Sequence, residues 1–152
     1  MRDDARALVT GLVRDLRTKL DLVQKLLLSE SDKHHYEKSG NLERVMDLTR
    51  DDAFIIDAVN LADYDIARAE DTLCGIIGVR RDLLYDSLGA EAEARELTEL
   101  RESLLRDIRE LHRLRRDLLL KLEADARGIK DSIAALSRID ALKGPETEGD
   151  DR

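Results

Sequence analysis

The sequence predicts an all-α protein: an elongated antiparallel three-helix bundle with a long coiled-coil-like C-terminal helix. Two observations carry that reading. Apolar residues recur at steps of three and four along almost the whole chain, the period of a helical face. Residues that favour strands are sparse: four aromatic rings (Tyr36, Phe54, Tyr64 and Tyr85) and no tryptophan stand against 27 leucines, which excludes an all-β fold.

The first helix is expected over about 4–38. Val9, Val13, Leu16, Leu20, Val23 and Leu27 fall on one face, and Leu8, Leu12, Leu22 and Leu26 widen it. Asp3 or Asp4 is placed to cap its start. The stretch 29–38 reads as a solvated polar helix end. Ser39-Gly40-Asn41 then offers a glycine to end one helix and a side-chain cap to begin the next. The second helix is expected over 42–77, with Leu42, Val45, Met46, Leu48, Ile55, Ile56, Val59, Ala62, Ile66, Ala69, Leu73 and Ile76 or Ile77 facing inward. Thr49, Asp52, Asp63 and Glu70 interrupt a strict heptad, so this face suits a bundle better than a long two-stranded coil. Gly75 and Gly78 end the pattern. The connector 78–90 carries Leu83, Leu84, Tyr85 and Leu88 and is apolar enough to require a packing partner. The third helix is expected over 91–142. Its stripe is Leu97, Leu100, Leu104, Ile108, Leu111, Leu118, Leu122, Ile129, Ile133, Leu136 and Ile139, with Gly128 as the one weak point. At 1.5 Å per residue, about 50 residues make a rod of about 75 Å. Pro145 cannot continue it. A single bundle over 1–143 is therefore expected, followed by a disordered acidic tail over 144–152.

The chemistry of catalysis is missing from the pattern. His34 and His35 are adjacent and point about 100° apart, so one helical face cannot bring both to a metal. Cys74 lies on the apolar face and reads as a small hydrophobe. Gly75-Ile76-Ile77-Gly78 lacks the spacing of a phosphate loop. The pairs Asp3-Asp4, Asp51-Asp52 and Asp150-Asp151 read as exposed faces or tail. No enzyme activity, cofactor or metal is expected. The run Arg113, Arg115, Arg116 and Lys121 is interleaved with Glu110, Asp117 and Glu123 and reads as salt-bridge decoration. A net charge of −8 argues against nucleic acid and anionic lipid as partners. Neither a leader-like apolar region nor a membrane-spanning run is present, so membrane insertion is not expected and a cytoplasmic location is.

The third helix carries more apolar surface than the bundle needs. Leu118-Leu119-Leu120 and Leu122 place leucines on nearly every side of one turn and a half, and the stretch beyond Ala124 outruns partners of about 35 residues. That surplus is suited to a partner's helix, to the connector, or to a second copy of the chain. Monomer and homodimer, and hence a coiled-coil scaffold role, stay open.

The order of features resembles the flagellar export chaperones of the FlgN type. The carrying residues are Leu26-Leu27-Leu28 with Glu30, the junction Ser39-Gly40-Asn41-Leu42-Glu43 with Val45, and then Leu48-Thr49, Asp52, Ile55-Ile56 and Val59. In the third helix Leu104, Ile108, Leu111, Leu114, Leu118-Leu119 and Leu122 look like the family's long C-terminal helix. Asp52 stands where the family usually has lysine, and His112, Arg115 and Arg116 stand where asparagines are common. The resemblance covers about 12–142. It implies a cytoplasmic bacterial chaperone of type III secretion in flagellum assembly. Such a chaperone binds C-terminal helical segments of hook-filament junction proteins, prevents their premature assembly and delivers them to the export gate. On this reading the partner-binding candidates are Leu118, Leu122, Ile129, Ile133, Leu136 and Ile139.

Overall fold

In the computed structural model, which describes residues 3–89 and 92–141, four α-helices account for most of the chain: α1 (Asp3–Lys38), α2 (Leu42–Ile77), the single turn α3 (Leu84–Ser87) and α4 (Ala92–Ala141). The fold is all-α. The junction 39–41 works as its residues dictate. Gly40 takes a φ of 79°, which ends α1 without a Cβ clash, and the Asn41 side chain accepts the Arg44 N–H at 3.2 Å to start α2. Gly78 repeats the left-handed stop at the end of α2, with its N–H donated to the Cys74 carbonyl at 2.8 Å.

The chain falls into two compact units, Met1–Arg115 and Arg116–Arg152. Where the sequence suggests one bundle over 1–143, the three-helix packing belongs to the first unit and comprises α1, α2, the connector and α4 as far as Arg115. Lys19 meets Asp63 and Lys33 meets Asp52, so α1 and α2 run antiparallel. Arg17 meets Glu96 and Glu30 meets Arg115, so this part of α4 runs parallel to α1. Val9, Leu12, Val23, Leu73, Leu84 and Leu97 are almost wholly buried in the shared core. Each such side chain removed from water contributes about 1.5–3 kcal/mol. The apolar connector is part of this core: a 3₁₀ turn at Arg81–Leu83 leads into α3, and Leu84 and Leu88 are buried. Cys74 is half-buried against the same cluster.

Four readings of the sequence need correction. Met46 is exposed rather than inward. The stretch 29–38 is not wholly solvated, because Glu30 and Lys33 are only 1 % and 4 % exposed. Asp52, expected on a surface, is 2 % exposed and accepts from Lys33 Nζ at 2.5 Å. Arg115 is no surface decoration either, since its Nε reaches Glu30 Oε1 at 3.3 Å, while Lys33 Nζ binds the same oxygen at 2.9 Å. The last three share a cause: a helix face is assigned by its neighbours, and α1, α2 and α4 converge here on two acids and two bases. Beside them His34 Nε2 donates to the Leu114 carbonyl at 2.8 Å. The tail 144–152 lies outside the described residues.

Candidate partner-binding surface

In the second unit α4 continues because nothing in its sequence stops it before Pro145, and its alanines, leucines and arginines favour the helix. Gly128 sits within it with no atom near the place a Cβ would occupy. Here the six candidate residues part company. Leu118 is buried and Leu122 half-buried, so neither offers a fully open face. Ile129, Ile133 and Leu136 are exposed, as are Leu119 and Leu120, all between 55 % and 61 %. Ile139 lies in the helix, but its side chain is outside the described residues. The open apolar surface of this unit thus centres on 119–136, and Leu119 belongs to it although the leading stripe passes through Leu118. The signal for it was present in the Leu118-Leu119-Leu120 run.

A second apolar surface, not foreseen from the pattern, lies in the first unit. An open pocket of about 570 Å³ runs between α2 and the first part of α4, with Leu16 and Lys19 of α1 among its lining residues. Leu16, Ile66, Leu104 and Ile108 supply apolar lining, and most of its polar groups are engaged. Lys19 pairs with Asp63 at 2.5 Å and Arg81 with Glu70 at 3.1 Å. The Tyr85 hydroxyl donates to Glu70 at 2.7 Å, and the Arg101 guanidinium stacks 3.6 Å over the Tyr85 ring. Burial, reinforced by the Glu70 hydrogen bond, pushes the Tyr85 phenol above its ordinary value. On the outer face of α2, Phe54 is 78 % exposed, with Leu61 and Tyr64 also exposed.

Among the described residues no group of three or more His, Cys, Asp or Glu side chains is placed to hold a metal ion. None of the described helices is long and apolar enough to cross a membrane. The buried Glu30–Lys33–Asp52 cluster has its acids and base bound to one another, an arrangement that fastens helices together. What the fold and its surfaces define is a helical protein whose last helix carries an exposed apolar stripe over the described residues 119–136. No protein-family model, no curated protein and no solved structure matches the chain.

Proposed function

We propose that the chain is an export chaperone of the FlgN type, acting in the cytoplasm on the C-terminal helical segments of hook-filament junction proteins. It shields those segments from premature assembly and passes them to the flagellar export gate. The observation that carries this reading is the exposure of Leu119, Ile129, Ile133 and Leu136 on one helix. Apolar side chains spaced at three and four residues receive an amphipathic helix by laying one apolar face along another, and no bond chemistry is needed to let it go. The acidic balance of the chain keeps such a surface in solution while it waits.

The test is titration of a junction-protein C-terminal fragment onto the full chain by calorimetry. Replacing two anchors together, Ile129→Asp with Ile133→Asp, is expected to weaken binding by about 10- to 100-fold, the scale of two lost anchors, while leaving circular dichroism unchanged. Undiminished binding by the double variant removes the surface from the reading, and absence of binding by the unaltered chain removes the reading itself.

A further inference from the structure

The exposed stretch of α4 has a stricter pattern than an amphipathic face needs. Leu119, Leu122, Ala126, Ile129, Ile133 and Leu136 step by 3, 4, 3, 4 and 3, the a and d positions of a coiled coil, and all six are apolar. Five of them are exposed and Leu122 is half-buried. We infer that, when no client is bound, this seam is covered by the same segment of a second copy running antiparallel, so that self-association and client binding exclude one another. The exclusion rests on the chaperone reading; the self-pairing does not.

Three features select a second copy in that orientation. In an antiparallel pair centred between Arg127 and Gly128, Leu119 meets the second copy's Leu136, Leu122 meets its Ile133, and Ala126 meets its Ile129. The smallest seam residue is thus matched with a large one. A shallow hollow of about 320 Å³ lies over Ala126, edged by Glu123, Arg127 and Lys130, and Ile129 of the second copy fills it. A parallel pair sets Ala126 against Ala126, leaves that hollow empty, and places β-branched Ile129 at d, which parallel dimers disfavour.

Charge agrees. Along an antiparallel seam the flank that follows d faces itself, so Glu123 lies opposite the second copy's Lys130 at both ends. The stretch 116–141 carries five basic and five acidic residues, so two copies meet here without net repulsion, although the whole chain is at −8. Six seam positions span about 26 Å, which places the contact at the small end of specific interfaces, below about 1,200 Å², and its dissociation constant at about 10–100 μM. A client helix with better anchors displaces a cover that weak.

The experiment is analytical ultracentrifugation of the full chain from about 1 to 500 μM. A monomer–dimer equilibrium is expected, weakened about fivefold or more by Lys130→Glu, since both crossings then oppose like charges. Adding Glu123→Lys to Lys130→Glu is expected to restore it. A chain monomeric at 500 μM overturns the inference, and so does rescue by Asp125→Lys with Lys130→Glu in place of Glu123→Lys, because a parallel pair joins Asp125 to Lys130. Glu123 and Lys130 are exposed and Asp125 is half-buried, and circular dichroism separates a lost dimer from a lost fold. Titrating the dimer with a junction-protein C-terminal fragment tests the exclusion: dissociation to a one-to-one complex supports it, and binding to an intact dimer overturns it. No binding at all sinks the chaperone reading and the exclusion together, and leaves the self-pairing to stand or fall on the sedimentation data.

Discussion

Two stretches of α4 teach opposite lessons with the same kinds of residue. Before Arg115, Leu97, Leu104 and Leu111 are buried, the first completely. Beyond it, Ile129, Ile133 and Leu136 continue the stripe at similar spacing and are more than half exposed. Periodicity specifies a face, and only neighbouring elements decide whether the face becomes core. The first unit also spends buried charge: Lys33 is held between Glu30 and Asp52, and Glu30 also takes Arg115, yet Glu30 Oε2 finds no partner. In the second unit Glu123, Arg127 and Lys130, which edge the seam, are exposed.

That contrast is broken most forcefully at the buried base. Lys33→Ala leaves two carboxylates facing each other out of water and is expected to cost about 3–5 kcal/mol, read as a lowered urea midpoint. Leu97→Ala, in the closed stretch of α4, is expected to cost about 2–5 kcal/mol through lost burial and the cavity left behind. Ile133→Ala, the equivalent truncation in the open stretch, is expected to change monomer stability by under about 0.5 kcal/mol. Equal losses at Leu97 and Ile133 would erase the distinction between the two regions.

Tyr85→Phe sharpens the comparison from the first unit, with an expected loss of about 1 kcal/mol for the hydroxyl bond to Glu70. Its sign in pH is defined. The phenol is raised in the folded state, so its contribution is fully present below the free-tyrosine value of 10.0 and is lost as pH climbs through the higher folded value. Thermal melts of the unaltered chain are expected to fall more steeply above pH 10 than those of Tyr85→Phe. The one stabilising change is at Gly128, where a Cβ meets nothing within 4 Å. Gly128→Ala is expected to add up to about 1 kcal/mol to the helix, measured as greater helicity and slower amide exchange around residue 128.

The helices were legible because their signals are local. A glycine with positive φ and an asparagine cap mark the first junction, and the 3.6-residue period marks each face. The buried cluster was not legible, because Glu30 and Lys33 are three apart in α1 but Asp52 and Arg115 join them only once three helices are aligned. The pocket beside Tyr85 escaped for the same reason: its walls come from α1, α2, the connector and α4. At the candidate surface the stripe was readable and its centre was not. Leu118 and Leu119 are neighbours on the helix, yet the first is buried and the second open, and no residue type tells them apart.

The bond between Lys33 and Asp52 has a consequence for alignment as well as for strength. Apolar faces such as those of α1 and α2 can slide past each other by a helical turn, about 5.4 Å, and still bury leucine against leucine. Lys33 allows no such freedom: one turn in either direction sets its ammonium against Leu48 or Ile56 and leaves the buried Asp52 carboxylate without its base. The pair acts as a key that admits one register of the hairpin and rejects its near neighbours.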